Sequence, residues 1–188
     1  MPHRALLLAL VLACAPGGDQ TADDQPATTQ ETTMTFTLTS PAFEAGSTVP
    51  TEHTCDGKDV SPALRWEGVR EDVVSYALIV DDPDAPRGTF VHWVLYDVPG
   101  HARELPENVG PAQRLENLGE AAQGENDFGE IGWKGPCPPR GRPHHYVFHL
   151  YALDARLGLD PGVKREEVNR AMEGHVLGTA ELTGLYGR

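Results

Sequence analysis

Residues 73–98 read VVSYALIVDDPDAPRGTFVHWVLYDV, and the architecture of the chain follows from them. Two runs, 73–82 and 89–98, are rich in β-branched and aromatic residues, with prolines and a glycine between them. This composition favours two β-strands joined through a turn. Pro83 and Pro86 cannot continue a strand ladder, so they end the first strand and hold its acidic side chains in a rigid turn.

Similar runs occur on both sides of this pair. Residues 144–153, HHYVFHLYAL, predict a third strand that is apolar on both alternating faces, as expected for a strand between two layers. Residues 36–40, 64–66 and 176–185 are weaker strand candidates. Scattered strands with few helices predict a mainly β fold, a β-sandwich with one or two short peripheral helices.

The spacing predicts one amphipathic helix over 164–175. Its buried face would consist of four residues at helical spacing: Val168, Ala171, Met172 and His175.

Residues 100–142 show little periodicity and many Gly, Pro, Asn and Glu residues. A connection of that length without regular structure is typical of a functional or disordered loop.

The amino-terminal third differs in composition from the rest. Residues 1–13, MPHRALLLALVLA, have the pattern of a signal peptide, and their apolar run is far shorter than the ~20 residues that span a bilayer. The segment that ends at Cys14, VLAC, resembles the lipobox of bacterial lipoproteins, which implies cleavage before Cys14 and lipid attachment to its sulfur. The alternative is a plain secretory signal with an incidental cysteine.

The domain organisation follows from this signal peptide and lipobox. Residues 14–34 would be the lipidated cysteine and a disordered linker, since they contain almost no large apolar side chains. Residues 35–188 would form the folded domain. We therefore expect a protein of the cell envelope, lipid-anchored to a bacterial membrane and facing the periplasm or the exterior.

The formal net charge of -13 restricts the partners. Nucleic acid and anionic bilayers would be repelled by such a charge, so contact with a membrane is expected only through the lipid anchor. An anionic ligand must be held by a local, preorganised pocket.

Polar side chains lie at the ends of the three strong strands. By alternation, Asp82 shares a face with Val80, whereas His92 shares one with Val94 and Tyr96, and His144 shares one with Tyr146. If these ends converge, an acid, two imidazoles and a phenol meet over an apolar floor. Imidazole N–H and phenol O–H are donors that suit an oxyanion, and a carboxylate on the far ring nitrogen would orient one imidazole.

A loop at 133–139, WKGPCPP, could add two further donors. They are the backbone N–H groups of Gly135 and Cys137, at a turn that the prolines keep from forming a strand, and successive free N–H groups form anion-binding concavities. The alternative is that each histidine is an ordinary core or surface residue.

Four segments resemble the phosphatidylethanolamine-binding proteins, in particular their bacterial Raf kinase inhibitor-like branch: 82–86 (DPDAP), 91–94 (VHWV), 135–139 (GPCPP) and 144–148 (HHYVF). The resemblance runs from about residue 36 to 188. It implies two antiparallel sheets and a small pocket for phosphate or a phospho head group, with no catalysis, cofactor or metal. The ligand-binding residues that it implies are Asp82, Pro86, His92, Gly135, His144 and Tyr146.

Two cysteines, Cys55 and Cys137, remain when Cys14 is set aside. Cysteines in an oxidising compartment often pair, so we expect a disulfide between them, the alternative being two buried thiols.

Other function classes remain as alternatives. Asp82, His92 and His144 could in principle form a two-histidine, one-carboxylate metal site of an enzyme. A protein-binding inhibitor of a protease or kinase could instead act through its loops. A serine hydrolase finds no support, because no serine lies in a G-x-S-x-G motif.

The lipid anchor is directly testable. Replacing Cys14 with Ser should release the protein from the membrane fraction to the soluble fraction, because a lipoprotein is held by several acyl chains on this residue. Cell fractionation with intact mass measurement checks this. An equally soluble wild type with an unmodified amino terminus would contradict the anchor.

Overall fold

The structure, a computed structural model, describes Met1 and residues 34–188. The predicted signal peptide, the lipidation of Cys14 and most of the linker lie outside the described residues. Met34, which was assigned to the linker, is buried, and its N–H donates to the carbonyl of Leu177. No helix in the described part of the chain is long and apolar enough to cross a membrane.

The described residues form two antiparallel sheets and one α-helix. The strands are β1 Thr37–Thr39, β2 Leu64–Glu67, β3 Ser75–Asp82, β4 Phe90–Pro99, β5 Glu104–Leu105, β6 Arg114–Leu115, β7 Ala121–Gln123, β8 His144–Leu153 and β9 Val176–Tyr186, and the helix α1 is Arg165–Met172. The small sheet has the order β1-β2-β5 and the large one β6-β7-β4-β3-β8-β9. Short 3₁₀ helices occupy Thr51–His53 and Glu116–Leu118. The mainly β fold class is confirmed.

The main hydrophobic core contains side chains from both sheets. Leu64 and Trp66 of β2 belong to the same buried cluster as Leu78 of β3 and Phe148 of β8. The aromatic ring of Trp66 meets that of Tyr76 edge to face, with 5.2 Å between their centroids. Burial of this apolar surface is the main stabilising contribution to the domain.

A second, smaller cluster lies beneath α1. Val168 and Met172 of the helix are buried with Ile79 and Val94 of the large sheet. The predicted helix is shorter than expected, because it ends at Met172 and His175 lies beyond it.

Strand β3 is buried on both faces, whereas β8 is not. All eight residues of β3 are buried, since it lies between β4 and β8 and is covered on both sides. In β8 only one face is fully buried, and His145, Val147, His149 and Tyr151 on the other face are exposed or half-buried. The prediction that β8 lies between two layers is therefore wrong: its outer face is only partly covered.

The segment 100–142 is ordered mainly by buried side-chain hydrogen bonds. Gln123, fully buried, accepts a hydrogen bond from Trp93 Nε1 at 2.7 Å and donates to the carbonyls of Gly110 and Ala112. Asn126, also buried, donates to the carbonyl of Gly132. These contacts fix short strands and turns that no periodicity predicts.

A disulfide joins Cys55 to Cys137, with 5.4 Å between their Cα atoms, and the prediction is confirmed. It connects the turn after the first 3₁₀ helix to the loop that precedes β8. The N–H of Cys55 also donates to the carbonyl of Pro136 at 3.1 Å.

Removal of this bond should destabilise the domain. The bond joins residues 82 positions apart, and chain entropy for a loop of that size predicts about 4 to 5 kcal/mol, although measured losses span about 2 to 5 kcal/mol. In protein that also carries Cys14→Ser, the double variant Cys55→Ser/Cys137→Ser should lose that free energy of unfolding in urea titrations. Dithiothreitol should destabilise the parent and leave the double variant unchanged. Equal stability of parent and double variant would refute the contribution.

Candidate functional site

A cavity of about 220 Å³ opens at one edge of the large sheet. The end of β3 lies there beside the starts of β4 and β8, because both neighbours run antiparallel to it. The four predicted polar residues converge on this cavity, and its remaining wall is largely apolar. The residues that line it are Asp82, Ala85, Pro86, Phe90, His92, Phe128, Cys137, Pro138, Pro139, His144 and Tyr146.

A β-bulge brings His92 to the cavity. Val80 pairs with Trp93, but Asp81 pairs with Val91, so His92 is an extra residue in β4. The bulge shifts the alternation by one position. The prediction that His92 shares a face with Val94 and Tyr96 is therefore wrong, since those two pack in the second cluster with α1.

Asp82 and His144 form a buried pair. The Nδ1–H of His144 donates to Asp82 Oδ2 at 2.7 Å, and both side chains are almost fully buried. The other carboxylate oxygen, Oδ1, accepts the N–H of Asp84 at 2.8 Å, a bond within the turn that follows β3. Asp82 thus orients the His144 ring, as the sequence predicted, and leaves Nε2 as the nitrogen available to a ligand.

His92 is held by the backbone rather than by an acid. Its Nδ1–H donates to the carbonyl of Lys134 at 2.6 Å, and Lys134 N–H donates back to the His92 carbonyl at 3.1 Å. Burial lowers the pKa of the His92 imidazole, although the Lys134 carbonyl and the charge of Asp82 act in the opposite direction. The ring is therefore neutral at neutral pH, with its Nε2 lone pair unprotonated.

Tyr146 contributes a hydroxyl without a hydrogen-bond partner among the described residues. The side chain is fully buried, and its ring lies edge to face against His92 with 5.1 Å between centroids. Burial, assisted by the nearby charge of Asp82, raises the pKa of the Tyr146 phenol. It remains a neutral hydroxyl that can donate to a ligand.

Gly135 is not placed at the cavity. Its N–H donates to Asp59 Oδ1 at 2.7 Å, and a Cβ atom there would lie 2.2 Å from the carbonyl oxygen of His53. The prediction that this N–H is free for a ligand is wrong, because the glycine instead packs the loop against residues 53–59. From the same loop, Cys137, Pro138 and Pro139 line the cavity, and Pro86 also lines it, as predicted.

Two phenylalanines that sequence reasoning missed complete the mouth. Phe128 is 41% exposed, and its ring lies 4.8 Å from that of Phe90 and 5.4 Å from that of His92. Asn126 Oδ1 positions the turn by accepting the N–H groups of Phe128 and Glu130. The signal that could have revealed this turn is Asn126 followed by Gly129, a pattern typical of side-chain-capped turns.

The acid beside the cavity, Asp84, forms hydrogen bonds with basic residues. Asp84 accepts hydrogen bonds from the N–H and the ring of His145 at 2.9 and 2.6 Å, and from Arg142 at 3.0 Å. Hydrogen bonds from His145, with Arg142 beside them, hold the pKa of the Asp84 carboxyl far below its usual range. The negative charge of Asp84 beside the cavity is therefore compensated, despite the acidic charge of the whole chain.

Comparisons with known proteins agree with the motifs. A family model described as phosphatidylethanolamine-binding protein matches residues 39–187. A UPF0098 protein of Pyrococcus abyssi is 50% identical over 141 residues, 74% of this chain and 79% of that protein. The crystal structure of YbcL from Escherichia coli superposes with a TM-score of 0.76 at 35% identity, covering 81% of this chain and 98% of that one. A phosphatidylethanolamine-binding protein homologue from Chlamydia trachomatis gives 0.74 at 38% identity, covering 81% and 97%.

The buried neutral His92 should make the domain less stable in acid. Between its lowered native pKa and the ordinary value of 6.5, the unfolded chain binds more protons than the native one, so stability falls as pH falls. In phosphate-free buffer, urea titrations from pH 7.5 to 5 should show a smaller loss for His92→Gln than for wild type. The exposed-site control His101→Gln should behave as wild type. Identical pH dependence in His92→Gln and wild type would show that the ring does not resist protonation.

Proposed function

This chain belongs to the phosphatidylethanolamine-binding protein family, and we propose that it is an exported binding protein whose cavity holds a phosphate-like anionic group. The family match covers 39–187, which includes every residue of the cavity wall. The proposed ligand is inorganic phosphate or the phosphate of a small head group, and the proposed activity is binding without catalysis.

The hydroxyl of Tyr146 is the observation that carries this proposal. A buried hydroxyl without a partner costs about 1 to 3 kcal/mol, so a ligand acceptor at the cavity would relieve that penalty. His144 and His92 also lie in the cavity wall, and each contributes its Nε2 atom. The Tyr146 hydroxyl is a donor as it stands, and each Nε2 becomes one when its ring takes up a proton, so these three groups can match the several acceptor oxygens of a phosphate group.

The surroundings favour an anion over a cation. Asp82 is the one carboxylate in the cavity wall, and both of its oxygens already accept hydrogen bonds from His144 and Asp84. The apolar remainder of the wall strengthens charge-assisted bonds because it lowers the local dielectric constant. Phe90 and Phe128 at the mouth could contact the organic part of a head group.

Two groups at the cavity that could act as nucleophiles, Cys137 and Tyr146, are held in unreactive forms. Cys137 is held in its disulfide with Cys55. The raised pKa of Tyr146 keeps its phenol protonated. These features support binding rather than group transfer.

A second candidate function is the modulation of another protein through the loops. The exposed ring of Phe128 favours it, because a large apolar side chain at the mouth of a pocket is typical of an interaction surface. The matched test is Phe128→Ala, which should weaken the binding of a protein partner more strongly than the binding of inorganic phosphate.

Calorimetric titration with phosphate and with phosphoethanolamine tests the anion site. Each charge-assisted hydrogen bond contributes about 1.5 to 3 kcal/mol, so Tyr146→Phe should weaken binding by about ten- to a hundredfold. His92→Ala should do the same at acidic pH, where the ring is protonated. Tyr151→Phe, a half-buried tyrosine on the outer face of β8, is the matched control and should bind as wild type. Affinity that is unchanged in both cavity variants would overturn the proposal.

The pH dependence is a separate expected outcome. His92 must take up a proton before its Nε2 can donate to an anion, so affinity should fall as pH rises from the lowered native pKa of the ring. The same titrations at pH 5 to 8 measure this decline, which should be smaller in His92→Gln. Affinity that does not change over this range would exclude His92 as a donor.

A further inference from the structure

We propose that Glu52, His53 and Glu107 form a binding site for a divalent transition metal, with Zn²⁺ as the favoured ion. One ligand atom from each residue lies within 4.8 Å of the others. These residues are not part of the anion cavity wall, so the proposal is independent of the proposed function.

His53 supplies the decisive observation. Its side chain is fully buried, and its Nδ1–H donates to the carbonyl of Val60 at 3.0 Å. That bond sets the tautomer and leaves Nε2 with a free lone pair. Nε2 is buried and has no hydrogen-bond partner among the residues that the structure describes. An imidazole oriented by a backbone carbonyl through its other nitrogen is the usual state of a histidine metal ligand.

The two carboxylates lie on the side of this lone pair. Glu52 Oε1 is 3.9 Å from His53 Nε2, which is too far for a hydrogen bond. Ligands at about 2.1 Å from a tetrahedral zinc ion lie roughly 3.4 Å apart, so these atoms need to move by only a fraction of an ångström. Glu107 is exposed, and its side chain can make the larger movement required to complete the site.

The backbone holds Glu107 near the first 3₁₀ helix. Ser61 accepts the N–H of Asn108 on its carbonyl and the N–H of Val109 on its hydroxyl, both at 2.9 Å. Asn108 has a left-handed conformation, with φ of 59°, which turns the chain directly after Glu107. The convergence is therefore built from two loops that are far apart in sequence.

The charges also favour a cation. The two carboxylates close to the buried imidazole repel each other, and Lys58 compensates only Glu52, through Oε2 at 3.3 Å. A divalent ion would neutralise both acids. One imidazole nitrogen with carboxylate oxygens suits zinc or a similar transition metal better than Mg²⁺ or Ca²⁺, which prefer oxygen ligands alone.

Calorimetric titration of metal-stripped protein with ZnCl₂ in phosphate-free buffer tests the site. Wild type should bind one equivalent of zinc. Glu107→Gln and Glu52→Gln keep the side-chain shape and lie at partly or fully exposed positions. Each should weaken zinc binding by about tenfold or more. His53→Gln should abolish the one-equivalent site. His101→Gln and Glu116→Gln, both at exposed positions elsewhere, are matched controls and should bind as wild type.

Thermal unfolding provides a second readout that does not depend on the buried His53 variant folding. Zinc should raise the Tm of wild type and of both controls, and it should raise the Tm of Glu107→Gln much less, because only bound metal stabilises the native state. Absence of a one-equivalent site in wild type would overturn the proposal. Zinc affinity that is the same in Glu52→Gln, Glu107→Gln and wild type would also overturn it, by assigning the metal to other surface residues.

Discussion

Strand β3 pairs with β4 on one side and β8 on the other, and both pairings are antiparallel. An antiparallel neighbour starts where its partner ends, so the end of β3 must lie beside the starts of both other strands. The polar residues at those three positions are thereby gathered at one edge of the large sheet. The interior of β3, buried along its whole length, anchors this edge to the two hydrophobic clusters. The cavity depends on that register, since a slip by one residue would turn Asp82 and His144 to opposite faces.

Outside the regular sheet, buried polar side chains take the place of periodic apolar contacts. Gln123 ties the segment before β7 to β4, and Asn126 shapes the turn that carries Phe128. Asp97 acts in the same way near the other end of β4, where its carboxylate accepts the N–H groups of Leu157 and Gly158. Asp97 and the amide nitrogen of Gln123 are satisfied by backbone atoms of a distant segment, whereas Asn126 is satisfied within its own turn. Because leaving such a group without a partner is costly, these bonds specify the loops as strictly as packing specifies the core.

Five buried side-chain atoms of the described residues depart from this rule, and two of them lie at the sites of the proposals. The Tyr146 hydroxyl lies at the anion cavity, and His53 Nε2 lies beside two carboxylates; neither has a hydrogen-bond partner among the described residues. The Cys55–Cys137 disulfide joins the two regions, because Cys55 follows His53 by two residues and Cys137 lines the cavity.

The sequence by itself determined the strands 73–82, 89–98 and 144–153 to within two residues at each end. It also determined the helix, through its apolar positions, the disulfide and most of the polar residues of the cavity. The strands and the helix are encoded by composition and by neighbours a few positions apart, which periodicity and turn residues report directly. The disulfide was predicted instead from the two cysteines that remain when Cys14 is set aside. Tertiary structure alone decided the bulge at His92, the diversion of the Gly135 N–H to Asp59 and the convergence of Glu107 with His53. Each of these depends on a hydrogen bond or strand pairing with a distant segment, and no local pattern records which partner a buried polar group will find.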